Sequence, residues 1–462
     1  MLFNSFVFIG IFLPLTLLAF WSAKQDGLRR GVLLASSLFF YGYWYWPYLA
    51  LLVGLVGIAW LAGLWAERTT STLPVWFASV TLLGILGYFK YAGFFAELAV
   101  DLGAAESDSR RVAQLALPIG ISFIVFQALG YVVDVYRRDF SAERRFSVML
   151  LFKAFFPQLI AGPICRAHEL IPQLKGRFVF SADRFFSGLA IFAVGLLLKE
   201  FFADGLAPMV DKLFAAERMS WTAIEAWTAA LGFGAQIYAD FWAYSTMALG
   251  LARMFGVSIP VNFLLPYFST SLREFWRRWH ITLSQWLRDY LYKPLGGSRN
   301  GHFRTVFALM ATMLLGGLWH GANYTFIAWG GLHGLVLVIE HLLRKSPVGE
   351  EGRLERLLGW AYVFVIVMVS WVFFRAQDIP QAASIVQSMF HGKIGVLSTE
   401  VVPILAFSGC LFVLQWPIEC LLEKLRAERL GSSVALGVAF WGGVGAVVLG
   451  APAAVPFIYF QF

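Results

Sequence analysis

Residues 307–339, FALMATMLLGGLWHGANYTFIAWGGLHGLVLVI, contain two apolar runs separated by only Asn-Tyr-Thr. With their flanks these runs extend over 303–322 and 325–343, about the 20 residues that a membrane-spanning helix needs. The runs are continuous, whereas the strands of a membrane β-barrel alternate between apolar and polar residues. This stretch therefore predicts two membrane helices joined by a very short turn, with a histidine, His320, beside the turn.

The rest of the chain repeats this apolar pattern. Of its 462 residues, 59% are hydrophobic and only 14% are charged, against about 25% charged residues in soluble domains. The sequence predicts an all-α polytopic membrane protein with about 11–13 membrane helices, some of them re-entrant. We expect a single membrane-embedded domain over 1–462. The apolar runs are 2–21, 31–46, 48–66, 74–96, 113–136, 146–165, 183–202, 222–254, 303–322, 325–343, 356–375, 402–421 and 434–458.

The basic residues indicate the orientation of the chain rather than a nucleic-acid partner. The net charge is +8, and basic residues in membrane proteins concentrate in cytoplasmic loops. Placing the basic loops inside predicts that both termini are extracytoplasmic, provided that 146–165 enters and leaves the membrane on one side. Pro157, Gly162 and Pro163 support this, because they interrupt a straight helix.

The segment 271–304 differs from the apolar runs, with seven basic residues against two acidic ones. Its aromatic and apolar residues recur at helical spacing, with polar residues on the opposite side. The first set includes Trp276, His280, Leu283, Trp286 and Tyr290, and the second Arg277, Ser284 and Arg288. This pattern predicts one amphipathic helix over 273–293, lying at the cytoplasmic membrane interface.

His320 is the strongest candidate for chemistry. Gly316, Gly317 and Gly321 surround it, and such small residues let a backbone or a ligand approach closely. A neutral imidazole can take a proton from a hydroxyl group, and Asn323 is placed to hydrogen-bond the ring or a substrate carbonyl. The alternative is a histidine that only packs between helices.

The depth of His320 constrains this hypothesis. His320 lies 17 residues beyond the basic end of its apolar run, or roughly 26 Å along an unbroken helix. Either the helix is tilted or broken near Gly316-Gly317, or the acceptor arrives from outside.

Further candidates are weaker when taken alone. His280 faces either a tunnel mouth or only the headgroup layer. Asp240, within QIYADFWAYSTMALG, is a functional carboxylate or one that Tyr238, Tyr244 and Ser245 satisfy structurally. The sequence has no phosphate-binding Gly-rich loop, no HExxH and no metal-ligand spacing, so we expect neither a metal nor a bound cofactor.

The motifs of this chain resemble those of the membrane-bound O-acyltransferase family, and especially its bacterial branch of polysaccharide O-acetylation. The resemblance covers essentially the whole chain. It rests on LPIGISFIVFQALGYVVDVYR (117–137), FPQLIAGPICR (156–166), FWRRWHITLSQWLRDYLYKPLGG (275–297), GGLWHGANYTFIAWGGLHG (316–334), WVFFRA (371–376) and FIYFQF (457–462).

The resemblance implies a horseshoe-like arrangement of membrane helices, with re-entrant and interfacial helices, around a funnel from the cytoplasm. It also implies that His320 is catalytic and that His280 is the second histidine of the site. One departure concerns DFWAYSTMALG (240–250), where the family pattern is DFSGYSDMAIG. Thr246 replaces the second aspartate, which removes any role of that carboxylate here.

We therefore expect an O-acetyltransferase of the bacterial inner membrane, acting on an extracytoplasmic polysaccharide such as alginate or a cellulose-like polymer. The donor is expected to be acetyl-CoA or another acyl thioester, and the substrates are expected to meet a set of basic, aromatic and polar residues. These are Arg277, Arg278, Arg288, Trp276, Trp319, Asn323, Asp240 and Tyr244. Since the sequence shows no sizeable soluble domain, we expect a periplasmic acetyltransferase partner to complete the transfer.

Two alternatives from other classes remain open at this point. One is a transporter that moves an acyl group or a lipid-linked intermediate without chemistry, although the sequence shows no internal repeat. The other is a non-catalytic scaffold of an exopolysaccharide complex. A lipid or protein acceptor is also open within the enzyme class.

Overall fold

The structure is a computed structural model that describes residues 1–101, 117–160, 162–215, 220–299, 301–343, 352–450 and 455–458. Within these ranges the regular structure is helical, and no strand occurs. The helices, numbered in chain order, are α1 (Val7–Ser22), α2 (Asp26–Gly42), α3 (Tyr48–Arg68), α4 (Leu73–Asp101), α5 (Ile121–Tyr136), α6 (Phe146–Ala154), α7 (Phe156–Leu159), α8 (Ala167–Lys175), α9 (Ala182–Leu213), α10 (Ala223–Met254), α11 (Leu272–Arg278), α12 (Ile281–Leu287), α13 (Gly301–His320), α14 (Tyr324–Leu343), α15 (Arg353–Arg375), α16 (Ile379–His391), α17 (Val401–Arg426) and α18 (Ser432–Leu449).

Many of these helices have the length and composition of membrane spans. Among the described residues, eight are long and apolar enough to cross a membrane, namely α3, α4, α9, α13, α14, α15, α17 and α18. Two shorter apolar helices, α1 and α5, join them. The prediction of an all-α polytopic membrane protein is confirmed.

Contacts along the chain group its residues into two compact units. The first contains Met1–Phe192, Met247–Pro260 and Gly431–Leu436. The second contains Ala193–Thr246, Val261–Leu430 and Gly437–Phe462. The candidate residues of the site lie in the second unit, and the single domain expected over 1–462 stays a prediction.

In the first unit, the run 146–165 is interrupted as the sequence predicts. Helix α6 has nine residues, about 13 Å of rise, and is too short to span a bilayer. The broken backbone after it is held by two buried glutamines. Gln127 Nε2 donates to the carbonyl of Cys165 at 2.8 Å, and Gln158 Nε2 donates to the carbonyl of Phe152 at 2.7 Å. Non-helical backbone inside a membrane requires such internal partners.

In the second unit, α13 and α14 form a closely packed helical hairpin. Its first helix ends at His320, just before the turn. Helix α13 is continuous through Gly316 and Gly317, so the break considered at these glycines is absent. Instead Gly317 serves as a crossing point with Gly330 of α14. A Cβ at Gly317 would stand 2.3 Å from the carbonyl oxygen of Phe326 and 3.3 Å from the Cα of Gly330.

We expect Gly317→Ala to destabilise the protein by about 1–3 kcal/mol, because the added methyl group forces the two helix backbones apart. Gly316→Ala is the matched control, since its Cβ would meet only Leu287 Cδ1 at an ordinary 3.4 Å. Thermal unfolding of both variants in the same detergent measures the difference. Equal melting temperatures would show that the helices do not depend on this crossing.

The predicted single helix over 273–293 is wrong, because the segment is broken at His280. Helix α11 ends at Arg278, and α12 begins at Ile281 and continues as a π-helical turn over Arg288–Tyr292. Its amphipathic pattern is nevertheless real. Among the residues of the segment, His280, Leu283 and Trp286 are buried, whereas Arg277, Gln285 and Arg288 are exposed. The aromatic side packs on protein, as Trp276 does against Trp329.

Candidate active site

His320 occupies the last position of α13, where the backbone turns toward α14. Its side chain is only 5% exposed and lies within a group of aromatic rings. The centroid of the imidazole is 5.1 Å from that of Trp329 and 5.1 Å from that of Phe374, both in edge-on geometry. The tight turn that follows depends on Gly321, where a Cβ would come 2.0 Å from the ring of Phe326. The predicted glycine-lined setting of His320 is therefore present.

His280 is completely buried and adopts a left-handed backbone conformation, with φ of 42°. Its Nδ1 lies 3.2 Å from Asn262 Oδ1. The same oxygen accepts hydrogen bonds from the backbone N–H and the hydroxyl group of Thr282, at 3.2 and 2.9 Å. Because Asn262 Oδ1 is therefore an acceptor, the proton of the neutral His280 ring is on Nδ1, and Nε2 carries a lone pair.

Burial lowers the pKa of His280 from the ordinary 6.5 to about 3. Since the depressed pKa belongs to the folded state, the folded protein resists protonation that the unfolded chain accepts below pH 6.5. Stability is then lost as pH falls from 6.5 toward 3.

From this shift we expect acidification from pH 7.5 to 5 to cost about 2 kcal/mol of stability through His280 alone. His280→Asn should remove that part of the pH dependence. The amide can still donate to Asn262, and asparagine tolerates the left-handed conformation. Melting temperatures of both proteins in detergent at the two pH values measure the effect. Parallel pH curves would contradict a neutral, buried His280.

Trp319 brings the two histidines into one site. Its ring is 4.9 Å from that of His320 and 6.2 Å from that of His280, between centroids. Trp276 joins the same cluster from α11, with its ring 5.8 Å from that of Trp329. Four residues predicted from sequence, namely His320, His280, Trp319 and Trp276, therefore lie in one aromatic cluster of the second unit.

Asn323 holds the turn between α13 and α14. Its Oδ1 accepts the backbone N–H of Thr325 at 3.0 Å, the arrangement of a helix cap at the start of α14. Its Nδ2 donates to the carbonyl of Gln377 at 3.0 Å. These bonds hold Asn323 in the turn between the helices, and its predicted contact with the imidazole or a substrate carbonyl stays a prediction.

The three arginines expected to meet an anionic donor differ in their surroundings. Arg278 donates to Glu274 at 2.7 Å, and Arg288 pairs with Asp289 at 2.9 Å. Within the described part of the chain Arg277 forms no ion pair, and its side chain is exposed. Of these three arginines, Arg277 is therefore the one whose charge is not shared with a carboxylate of the described residues.

Asp240 and Tyr244 belong to a neighbouring cluster on α10. Lys199 Nζ is 2.8 Å from Asp240 Oδ1 and 2.7 Å from Asp204 Oδ1, and all three side chains are almost fully buried. Asp240 Oδ2 also accepts the backbone N–H of Ile458 at 2.7 Å. The ring of Tyr244 is 4.8 Å from that of Phe457. Asp240 is therefore held by an ion pair and a backbone hydrogen bond.

The connection between this cluster and His280 runs through aromatic rings. Phe241, the residue after Asp240, places its ring 4.6 Å from the imidazole of His280. Thr246 is buried at the position of the family aspartate, while Ser245 accepts a hydrogen bond from Asn262 Nδ2 at 3.3 Å. Ser245 thus helps to orient the amide that orients His280.

Sequence reasoning missed Asn262 and Lys199. Asn262 lies in SIPVNFLLP (258–266), where it has no motif around it, and its role depends on contacts eighteen residues away in the chain. Lys199 carried a usable signal, because a lysine within the apolar run 183–202 requires a partner. Asp240, a lone carboxylate in an apolar run, likewise requires a partner, and that partner is Lys199.

Comparison with known proteins identifies the family of this chain. The chain belongs to the membrane-bound O-acyltransferase family, whose family model matches residues 9–376. It is therefore an O-acyltransferase, and the family predicted from the sequence motifs is confirmed.

Several relatives within the family are similar over most of the chain. The chain is 42% identical to a probable alginate O-acetylase of Azotobacter vinelandii, over 84% of this chain and 78% of the relative. It is 33% identical to a peptidoglycan O-acetyltransferase of Helicobacter pylori, over 84% and 80%. It is 28% identical to a teichoic acid D-alanyltransferase of Streptococcus thermophilus, over 62% and 75%.

Proposed function

We propose that this chain is an O-acetyltransferase of the bacterial inner membrane, acting toward an extracytoplasmic polysaccharide. One observation carries the proposal: two buried histidines, His320 and His280, both pack near the ring of Trp319 in a member of this acyltransferase family. The high similarity to alginate O-acetylases supports acetyl as the group and a polysaccharide such as alginate as the final acceptor.

The proposed reaction is acyl transfer from a thioester to a hydroxyl group. His320 takes the proton of the acceptor hydroxyl as its oxygen attacks the thioester carbonyl. The carbon–sulfur bond of the tetrahedral intermediate then breaks, and the imidazolium returns the proton to the leaving thiolate. His280, with its proton on Nδ1 bonded to Asn262, positions the donor or relays protons through Nε2.

The donor in this proposal is acetyl-CoA or another acyl thioester from the cytoplasm. Arg277 is the charge that steers its anionic part, because Arg278 and Arg288 already have carboxylate partners. The acetyl group then passes to a periplasmic acetyltransferase partner, which esterifies the polymer. Both chain termini face the periplasm in this arrangement.

Membrane vesicles of defined orientation test the proposal. Vesicles from cells with the complete modification system receive donor labelled in its acetyl group, on the cytoplasmic or the periplasmic face. We expect ester-linked label, released by mild base, only with donor at the cytoplasmic face and only with intact His320. His302→Ala is the control, because His302 is exposed at the other end of α13.

The other outcomes separate the alternatives. Labelled acetyl that crosses the membrane without forming esters would favour a transporter. Ester formation that persists in His320→Ala would favour a scaffold and overturn the assignment of the histidine. Label found on lipid rather than on polymer or protein would change the acceptor class.

A further inference from the structure

We propose that the open groove between α1 and α2 binds one acyl chain of a phospholipid, whose headgroup lies at the turn between α2 and α3. The groove has a volume of about 430 Å³, within the range of sites that bind small ligands. All the residues that line it belong to the first unit. The proposal is therefore independent of the acyl transfer proposed for the second unit.

Small side chains leave the space between the two helices. Thr16 and Ser36 bring the helices together, with their hydroxyl oxygens 3.4 Å apart. Ala19 lies one turn from Thr16 on α1, Ala35 precedes Ser36 on α2, and both alanines line the groove and are exposed. The larger lining residues are apolar and partly open, as Phe39 is at 59% exposure. The groove therefore presents an accessible apolar surface.

One end of the groove lies at the level of the lipid headgroups. Tyr43 lines this end and begins the non-helical turn 43–47 between α2 and α3. Irregular backbone that faces lipid does not occur within the hydrocarbon region. The side chains of Tyr43, Trp44, Tyr45 and Trp46 are all exposed, and exposed aromatic residues of this kind form the belts at membrane interfaces. The turn is therefore interfacial, and the groove extends from it into the hydrocarbon.

The length of the groove matches one leaflet of a bilayer. Its lining runs along α2 from Tyr43 to Ala35, eight positions or about 12 Å, and along α1 from Val7 to Ala19, twelve positions or about 18 Å. Half of a hydrocarbon core about 30 Å thick is about 15 Å. A groove that starts at the headgroup level and crosses one leaflet follows the path of an acyl chain.

The volume of the groove favours an acyl chain over a helix of another protein. A helix with its side chains is about 10 Å across, so 18 Å of helix occupies roughly 1,400 Å³, about three times the groove. An apolar space left empty loses dispersion contacts, and water does not fill it. The chains of the surrounding bilayer are narrow enough to do so. At the interfacial end, the Tyr43 hydroxyl and the Trp46 indole N–H offer donors for ester and phosphate oxygens.

The bound chain would also support the broken run of the first unit. Phe12 lines the groove, and its ring is 5.4 Å from that of Phe156 in α7. On α2, Ser37 Oγ accepts the backbone N–H of Phe156 at 3.2 Å. Both helices of the groove thus contact the start of α7 directly. We expect occupation of the groove to stabilise the fold through these contacts.

Two substitutions fill the groove from opposite helices. Ala35→Phe adds a ring from α2, and Ala19→Phe adds one from α1, at exposed positions in the lining. Leu18→Phe is the matched control, because Leu18 is 64% exposed on α1 but does not line the groove. It adds an aromatic ring to the same helix on a surface that faces the bilayer.

The test places the full chain in nanodiscs of phosphatidylethanolamine and phosphatidylglycerol. A trace of phosphatidylglycerol carries a photoactivatable diazirine at the end of one acyl chain. We expect its cross-links to concentrate on the lining residues of α1 and α2. After extraction into mild detergent, native mass spectrometry should show a single retained phospholipid on the wild type and Leu18→Phe. Ala35→Phe and Ala19→Phe should lose both the cross-links and the retained lipid. Phospholipid added in detergent should raise the melting temperature of the wild type but not of Ala35→Phe.

The opposing results are distinct. Cross-links spread evenly over all exposed helices of the wild type would show ordinary bilayer contact and overturn the site without reference to any variant. Equal lipid retention in Ala35→Phe and Leu18→Phe would overturn it as well. Loss of a copurifying protein from Ala35→Phe, with lipid retention unchanged, would assign the groove to a partner helix instead. Absence of His320-dependent ester formation in the wild type would overturn the proposed function and leave the lipid site standing.

Discussion

His320→Ala is expected to lower acetyl transfer by about a hundred- to ten-thousandfold, the usual contribution of a positioned general base. The imidazole packs against the rings of Trp329 and Phe374, so the space left by the substitution is lined by aromatic carbon rather than by a second base. The initial rate of ester formation from labelled donor, at matched amounts of protein in the membrane, measures the loss. His302→Ala, on the same helix, should keep the wild-type rate.

Comparing the activities of His320→Ala and His280→Asn shows which histidine is the general base. His280 also borders Trp319, at 6.2 Å between ring centroids, and carries its lone pair on Nε2. If His320→Ala retains a tenth of the wild-type rate and His280→Asn is inactive, the general base is His280 rather than His320. Loss in both variants fits a base at His320 and a positioning role for His280.

Lys199→Met is expected to destabilise the protein by about 3–5 kcal/mol, because it leaves two buried carboxylates without their shared cation. Asp204 and Asp240 both lie within 3 Å of Lys199 Nζ, and Lys199 itself is 4% exposed. The methionine side chain fills a similar volume, so the loss reports the charge rather than a cavity. Thermal unfolding in detergent, and the amount of folded protein recovered from membranes, measure the effect.

A compensated variant distinguishes charge from packing. In Lys199→Met with Asp204→Asn and Asp240→Asn, no charge remains in the cluster, and removing a whole buried ion-pair group is often close to neutral. We expect this triple variant to recover much of the stability lost in Lys199→Met. If Lys199→Met alone is as stable as the wild type, the carboxylates do not depend on the lysine charge.

The parts of the molecule that could be predicted from sequence were those that local patterns determine. Continuous apolar runs gave the helical membrane fold, and Pro157, Gly162 and Pro163 marked the broken run in the first unit. Glycines beside His320 indicated a close approach by a backbone or a ligand, and at Gly317 the structure shows the backbone of α14. The recurring aromatic residues of 273–293 correctly separated a buried side from an exposed one.

The failures have a common physical cause in contacts made far along the chain. No glycine or proline marks the break at His280. It occurs where Asn262 supplies the partners that a continuing helix would have provided, since the N–H of Ile281 donates to the Asn262 carbonyl at 2.9 Å. Asn323 likewise donates to the carbonyl of Gln377, fifty-four residues away, a contact that no local pattern indicates.

The π-helical turn Leu198–Ala203 within α9 constrains how this chain can change in length. Such a turn contains one residue more than an α-helical turn. Lys199 and Asp204 are five positions apart and lie on one face of the helix because of this wide turn. Deleting one residue within it would leave an ordinary α-helical turn with the two positions four apart, and residues four apart also share a face. A homologue that is one residue shorter at this turn should therefore keep both the lysine and the carboxylate.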